Sequence, residues 1–341
     1  MGRRPGAFAA LLAAAAVGLA ACGSTGGLAS VSTDPGGTNN PHQAPAAELS
    51  SAVTNLGAGT ALTLTASAVA PARLLDRYGL KVLAGARLSV ELVAPKGKTV
   101  GDLNAANGSS ASVDLTLRAG TTTYVELRSI DQMLYLRVDV KDLLAAVGDS
   151  ARYDALVAKA DALSDFAKAL VGGKWVSLPL ASLSMLPLQR SIGFNPLAAL
   201  HGLLTDGGHV TRTATGSTDR LVLREQVSAF AAELRVLMHS FAPHRPARLP
   251  RLHGIAHRSV TLDAAVREGA LSSLTVNLDQ LAPHARVAWP LTVTFARSGP
   301  AVIKPSGAVA PDLPGLLGLA NLFGQGGGNG MSGLLGGLTS S

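Results

Sequence analysis

The chain has 341 residues with a formal net charge of +7, and 47 % of its residues are hydrophobic. Aromatic residues make up only 4 % of it and no basic, aromatic-interleaved motif is present, so we expect no nucleic acid as a partner. Its single cysteine, Cys22, cannot form an intramolecular disulfide. The folded part must therefore be stabilised by a hydrophobic core, for which the chain is long enough.

The residues ahead of Cys22 have the parts of a secretory signal. Arg3 and Arg4 supply a basic start, and residues 7–19 form an uncharged run rich in alanine and leucine. A basic start, a short apolar run and small residues before a cut site define a signal peptide, and a cysteine directly after the cut is typical of a bacterial lipobox. We predict a signal peptide over residues 1–21 and lipid attachment at Cys22. The mature chain is then exported and anchored to the outer face of the cytoplasmic membrane.

Three alternatives for this region stay open. The apolar run is shorter than the about 20 residues that a spanning helix needs, which disfavours a transmembrane anchor. An ordinary signal peptide followed by a spare thiol is the second alternative. The third is a twin-arginine signal, but Pro5 and Gly6 fit that motif poorly.

Composition divides the rest of the chain into three segments. Residues 22–47 are rich in Gly, Ser, Thr, Asn and Pro, which predicts a flexible polar stalk. Residues 48–307 form a single predicted domain. Residues 308–341 are a tail rich in Gly and Leu with one charged side chain, Asp312. This tail has three interpretations, namely contact with lipid, plugging of a cavity, or disorder, and its glycine content favours disorder.

Alternation of apolar and polar residues dominates the domain and is typical of antiparallel strands with one buried face. It predicts strands at residues 62–68, 88–92, 113–117, 134–140, 260–266 and 287–295. Glycine-containing turns are expected at Ala119-Gly120, Gly216-Ser217 and Glu268-Gly269, each between two strands. The total is about ten to twelve strands in a mostly antiparallel meander.

Helical spacing interrupts the strands at several places. Apolar residues repeat every three or four positions in residues 150–171 and 227–241, which predicts two amphipathic helices. Gly172-Gly173 ends the first of them and a strand follows at residues 174–178. Shorter helical pieces are expected at 71–78, 181–189 and 196–204. The predicted fold class is α+β, with a large, curved, mostly antiparallel sheet and amphipathic helices on its concave face.

No residues form a recognisable catalytic or metal site. His239, His244, His253 and His257 lie in a basic stretch whose arginines repel cations, so a basic loop is expected and no metal. Gly97-Lys98-Thr99 lacks the earlier glycine of a phosphate-binding loop. Nucleophile, base and oxyanion donors cannot be assigned, so we expect no enzyme and no cofactor.

The order of elements resembles the actinobacterial lipid-carrier lipoproteins typified by LprG and LppX, which share a half-barrel fold with the lipoprotein carrier LolA. The resemblance rests on Leu19-Ala20-Ala21-Cys22 with its stalk, on Gln132-Met133-Leu134-Tyr135-Leu136-Arg137, and on Gly173-Lys174-Trp175-Val176. The hairpin at 260–278 and the closing strands up to Ile303-Lys304-Pro305 also fit. The Gly- and Leu-rich tail at 308–341 is not part of the family pattern, and the chain is longer than a typical member of the family.

The resemblance implies a function as well as a fold. It implies a half-barrel with an apolar cavity between sheet and helices, in which a lipid or glycolipid is bound or carried. The candidate lining is the apolar side of residues 150–171 and 227–241, with the stripes at 134–140 and 287–295. The alternative is a structural or interaction lipoprotein of the cell envelope whose layers pack without a void, because periodicity does not distinguish core from cavity. The sequence identifies no individual ligand-binding residue and no protein partner.

Overall fold

The computed structural model describes residues 42–69, 85–103, 110–146, 149–180, 196–205, 208–232, 257–281 and 288–311. The predictions for the signal peptide, Cys22, residues 22–41 of the stalk and the tail beyond 311 lie outside these residues. So do the short helices predicted at 71–78 and 181–189 and three of the four histidines in the basic stretch.

Eleven strands in the described residues form one antiparallel sheet. They are β1 (Ala61–Ala68), β2 (Ala86–Val93), β3 (Ser112–Ala119), β4 (Thr122–Ile130), β5 (Met133–Val138), β6 (Val176–Pro179), β7 (His209–Ala214), β8 (Thr218–Gln226), β9 (Ser259–Arg267), β10 (Ala270–Asn277) and β11 (Pro290–Ala296). The order across the sheet is β6-β5-β4-β3-β2-β1-β11-β10-β9-β8-β7. Two meanders therefore meet at the centre, where the first and last strands pair from Thr63↔Ala296 to Ala68↔Leu291.

The register gives the sheet one apolar and one polar face. Across β1, β2 and β3, Leu64, Val90 and Leu115 stand side by side, and Thr65, Ser89 and Thr116 form the next row on the opposite face. Because side chains alternate along a strand, every such pair of rows repeats this division. We call the two sides the apolar face and the outer face.

Helices lie on the apolar face. They are α1 (Pro45–Leu56), α2 (Val140–Ala146), α3 (Arg152–Leu163), α4 (Asp165–Val171) and α5 (Pro196–Thr205), and residues 227–232 are also helical. α1 packs on β7, β9 and β10, α2 on β4, and α4 on β5 and β6. The predicted α+β class and the antiparallel sheet are confirmed. Within the described ranges no helix has the length and apolarity needed to cross a membrane.

The helix predicted over 150–171 is wrong as one continuous element. Ser164 has extended backbone angles (φ −174°, ψ 162°) and separates α3 from α4. Its Oγ accepts a hydrogen bond from the Ala167 amide at 3.1 Å, so the serine caps the N-terminus of α4. The stripe at 134–140 is likewise divided, because β5 ends at Val138 and Val140 begins α2.

Helix α1 was not predicted. It begins at Pro45, three residues before the predicted start of the domain, and buries Leu49, Val53 and Leu56 against the sheet. The helices predicted at 196–204 and from residue 227, and the strand at 174–178, are present in α5, residues 227–232 and β6. At Glu268-Gly269 both residues have positive φ, 53° and 68°, which forms the tight hairpin turn expected there.

After β11 the chain runs back over the outer face, and we call residues 297–311 the strap. The Thr63 hydroxyl donates to the Ser298 carbonyl at 3.0 Å, and the Arg128 guanidinium donates to the Ile303 carbonyl at 2.9 Å. The strap then reaches the sheet edge, where Val309 forms a parallel bridge with Val176 of β6. It therefore leads from the central strand β11 across the outer face to β6.

Candidate functional site

The apolar face carries two separate hydrophobic clusters. The central cluster joins α1 and α5 to β1, β2, β3 and the strands from β8 to β11, with Leu49, Leu62 and Leu223 at most 1 % exposed. The second, which we call the β6 cluster, joins β5 and β6 to α2 and α4. Its buried members are Val138, Val140, Leu144, Phe166, Ala169, Leu170, Val176, Leu178 and Leu180.

Between the two clusters lies a patch of apolar side chains that are only half-buried. We call it the apolar strip, and its members are Leu117, Val125, Leu127, Leu134 and Leu136. The register makes them neighbours, since Leu117 stands opposite Val125 and Leu127 opposite Leu136. Leu117 and Leu127 pack against the central cluster, and the other three pack against the β6 cluster.

The outer face beside the apolar strip is better covered. Tyr135 lies between Leu134 and Leu136 on β5 but points to the outer face, where it is 3 % exposed. The strap passes there, and the Lys304 Nζ lies 6.0 Å from the centre of the Tyr135 ring. In a sheet with helices on one face, the apolar side chains of that face are normally the most buried. The apolar strip departs from this rule and keeps apolar surface that an apolar ligand would cover.

The predicted lining residues are divided between the clusters. Residues 150–171 supply Phe166 and Leu170 to the β6 cluster, and the helical residues from 227 supply Phe230 to the central cluster. The stripe at 287–295 also packs in the central cluster, with Val293 half-buried. Only Leu134 and Leu136 among the predicted residues belong to the apolar strip.

The predicted lining did not include three members of the apolar strip, namely Leu117 of β3 and both β4 residues, Val125 and Leu127. The signal was present, because Val125 and Leu127 alternate with Glu126 and Arg128 in the same manner as the stripes that were recognised. Alternation indicates which face a residue occupies but not how completely that face is covered. Only the packing of the helices distinguishes these residues from Leu64 and Val90, which are fully buried.

A buried polar group lies at the far edge of the apolar face and ties α1 to the β7–β8 hairpin. Glu48 of α1 is 4 % exposed and Asp219 of β8 is 1 % exposed. The Arg212 guanidinium donates to the Glu48 carboxylate and, at 2.9 Å, to the Gln43 carbonyl. The Gly216 amide donates to Asp219 Oδ1 at 2.9 Å.

Burial and the neighbouring Asp219 favour the protonated form of the Glu48 carboxyl group. Within the described part of the chain, Glu48 Oε1 and Asp219 Oδ2 have no hydrogen-bond partner. Burial is the main cause that raises the pKa of Glu48 above its ordinary 4.5, and the contact with Asp219 adds to it while Arg212 opposes it.

Four charged side chains of the outer face pair beside Trp175. Arg128 and Arg137 both lie over the Trp175 indole ring, 5.0 and 5.4 Å from its centre. Arg128 also pairs with Asp114 at 2.8 Å, and Arg137 pairs with Glu126. These side chains hold β3, β4, β5 and the start of β6 together, and the structure gives them a structural role.

Glu91 lies under the strap on the same face. It is 8 % exposed, and burial, followed by the charge of Asp114, raises its pKa. A Cβ atom at Gly299 of the strap would overlap the Glu91 carboxyl group. The strap therefore passes directly over Glu91, and a side chain at position 299 would force either the Glu91 carboxyl group or the strap to move.

In the ranges that the structure describes, no group of three or more His, Cys, Asp or Glu side chains could hold a metal ion. Of the four histidines in the basic stretch, His257 alone falls in those ranges. The grouping of these histidines therefore stays a sequence-based prediction.

The solved structures similar to this chain include two mycobacterial proteins. LprF from Mycobacterium bovis has a TM-score of 0.34 and 7 % sequence identity, covering 77 % of this chain and 97 % of that one. The lipoprotein LppX from Mycobacterium tuberculosis has a TM-score of 0.34 and 8 % identity, covering 76 % and 97 %. No protein-family model and no curated protein matches the sequence. The fold class rests on the strand order and register given above.

Proposed function

We propose that this chain is an exported lipoprotein, tethered to the membrane through Cys22, that binds or carries a lipid or glycolipid by its acyl part on the apolar strip. The observation that carries the proposal is the half-burial of five neighbouring apolar side chains on the face where the helices pack. An acyl chain laid along them would remove the remaining apolar surface from water, contributing about 0.8 kcal/mol per buried CH₂.

The chemistry around the apolar strip favours an acyl chain over a polar ligand. All five members are Leu or Val and offer no hydrogen-bonding side chain, so affinity must come from apolar contact. The buried polar cluster of Glu48, Arg212 and Asp219 lies on α1, β7 and β8, six strand spacings or about 30 Å along the sheet from β3. It does not reach the apolar strip.

Binding is tested with a form of the chain that starts at residue 23 and a series of fatty acids of increasing length, measured by displacement of a fluorescent fatty-acid probe. Each added CH₂ is expected to lower Kd about fourfold until the available apolar surface is filled. Lipid extracted from protein purified from its native host and identified by mass spectrometry gives the natural ligand.

A matched pair of variants tests whether the acyl chain binds on the apolar strip. Leu127→Asn places an amide in the apolar strip and is expected to weaken probe binding at least tenfold, because the amide loses its water when the acyl chain binds. Thr116→Asn makes a similar change at a half-buried position of the adjacent strand on the outer face. Thr116→Asn is expected to change the Kd of the probe by less than twofold. Equal effects of the two variants on this Kd would contradict the assignment of the binding site to the apolar strip.

The alternative is a structural or interaction lipoprotein whose layers pack without space for a ligand. Repeated recovery of no lipid, together with no probe binding by any fatty acid, would favour it. Crosslinking that captures one specific protein partner would then identify its role.

Anchoring is tested separately from ligand binding. Cys22→Ser removes the thiol that lipidation needs, so the protein is expected in the soluble fraction, while the wild-type chain fractionates with membranes. A serine variant that still fractionates with membranes would contradict the tether and would leave the ligand proposal to its own tests.

A further inference from the structure

The strap takes a route that the sheet does not require. β11 ends in the middle of the sheet, next to β1, so a chain that stopped there would leave its C-terminus far from either edge. Instead residues 297–311 cross the outer face, held by the hydrogen bonds to Ser298 and Ile303 and by the contact of Lys304 with Tyr135. These contacts deliver the following residues to the edge of β6.

At that edge the side chain of Val309 lies on the apolar face. Val309 donates its amide to the Trp175 carbonyl at 2.9 Å and accepts from the Ser177 amide at 2.9 Å. Val309 is therefore level with Val176, which stands on the apolar face opposite Leu136. Its side chain is partly buried against the β6 cluster.

Val309 thus packs on the same cluster as three members of the apolar strip, Val125, Leu134 and Leu136. The bridge between Val309 and Val176 is parallel, so the chain leaves in the direction of Leu178, which pairs with Leu134. Val309 lies on the side of β6 away from β5, so β5 is two strand spacings or about 9.6 Å away, a distance that three extended residues span. A chain that continues from Pro311 is therefore long enough to reach the apolar strip within a few residues.

Those residues have the composition of a partner for an apolar surface. Residues 312–341 contain eight leucines, with Phe323 and Met331, and Asp312 is their one charged side chain. Two leucine-rich runs, 313–319 and 333–338, are separated by a glycine-rich stretch. Removing apolar runs of this kind from water is favourable, and another apolar surface provides the contact that does so.

We propose that the apolar strip is the intramolecular docking surface of the C-terminal tail, with the leucine-rich run at 313–319 as its occupant. The docking itself goes beyond the proposed function and needs no ligand. The tail and an acyl chain then compete for the apolar strip, and this competition rests on the proposed function. A ligand displaces the tail, and the strap keeps the displaced tail at the β6 edge.

Disulfide trapping tests the docking without any lipid. In the form that starts at residue 23, which has no native cysteine, Leu316→Cys is combined with Leu136→Cys in the apolar strip. The matched control combines Leu316→Cys with Arg137→Cys, one residue along β5 on the outer face and also half-buried. The fraction of intramolecular disulfide is measured in glutathione buffers, after circular dichroism has verified that each variant is folded.

The expected result is an effective thiol concentration at least tenfold higher for the pair with position 136 than for the pair with position 137. Because another tail residue could be the one in contact, the comparison is repeated with Leu313→Cys and Leu319→Cys. Ratios below threefold at all three tail positions would overturn the docking.

A truncated chain that ends at Pro311 separates this proposal from the proposed function. If both hold, it binds the fatty-acid probe at least fivefold more tightly than the full chain, and added fatty acid lowers the trapping of the 136 pair. Trapping without any probe binding by the truncated chain would support the docking and contradict the lipid proposal. Equal probe affinity of truncated and full chains, with no preferential trapping, would contradict the docking and leave the lipid proposal standing.

Discussion

Exchange of Glu48 for glutamine is expected to leave the protein as stable as the wild type at acidic pH and more stable at alkaline pH. The glutamine Nε2 would donate to Asp219 Oδ2, and its Oε1 would accept from Arg212, so both contacts of the protonated glutamic acid are retained. The variant is uncharged at position 48 at every pH, which is the state that the raised pKa of Glu48 favours in the wild type.

The pH dependence follows from the direction of the pKa shift. The pKa of Glu48 in the folded protein lies above the ordinary 4.5, so the folded state holds its proton more tightly than the unfolded state. Its contribution to the free energy of unfolding is complete below pH 4.5 and is lost as pH rises through the raised pKa. The glutamine variant has no such proton to lose.

Other charged groups near α1 do not change this expectation. Arg212 and Asp219 are the charged groups that face Glu48, and Glu225 lies further along β8 on the same face. His201 of α5 hydrogen-bonds to Ser50, two residues further along α1, at 3.0 Å. Glu91 also has a raised pKa and adds a loss of stability with rising pH to wild type and variant alike. The difference between the two proteins therefore isolates Glu48.

Glu48→Ala supplies the contrasting perturbation. It removes one partner from a buried ionic cluster, leaving Arg212 its contact with Gln43 but no carboxylate from α1. Breaking a buried pair in this way costs about 3–5 kcal/mol. For a domain of this size each 1 kcal/mol corresponds to about 2–4 °C in Tm, so the alanine variant is expected to melt well below the wild type.

Urea denaturation of the three proteins between pH 4 and 9, followed by circular dichroism, measures these effects. Hydrogen exchange of the α1 amides localises them to the helix. A glutamine variant with the same pH profile as the wild type would refute the raised pKa of Glu48 as the cause of the pH dependence. An alanine variant within 1 kcal/mol of the wild type would refute the contribution of the cluster to stability.

Three further predictions concern the strap, the divided helix and the apolar strip. Gly299→Ala is expected to displace the strap and speed hydrogen exchange at 298–309. Gly216→Ala, where a Cβ meets open space, is expected to have no such effect. Equal exchange rates of the strap amides in the two variants would argue against close packing of the strap over the outer face. Ser164→Ala removes the cap of α4 and is expected to lower the free energy of unfolding by about 1 kcal/mol, with threonine restoring most of it. Leu127→Ala is expected to lower the free energy of unfolding by about 1–2 kcal/mol because Leu127 is half-buried, and Leu64→Ala by about 2–5 kcal/mol because Leu64 is fully buried. Thermal melts compare the two variants. Equal losses of stability would indicate that the apolar strip is fully packed.

Much of the sheet could be predicted because its signals are local. The face of a residue follows from its position in an alternating run, so the division between Leu64 and Thr65 needs no knowledge of the partner strand. Hairpin turns such as Glu268-Gly269 depend on the few residues within them. Export and lipid attachment at Cys22 are also predictions from a contiguous motif, which no fold is needed to define.

The tertiary structure decided what depends on residues distant in the chain. The pairing of β1 with β11 follows from the closure of two meanders, which no local pattern encodes. Helix α1 begins inside the predicted stalk, and it is stabilised by burial of Leu49 and by the contact of Glu48 with Arg212 on a distant strand. Half-burial of the apolar strip is likewise a result of how far the helices extend over the sheet, because alternation reports the direction of a side chain and not the depth of what covers it.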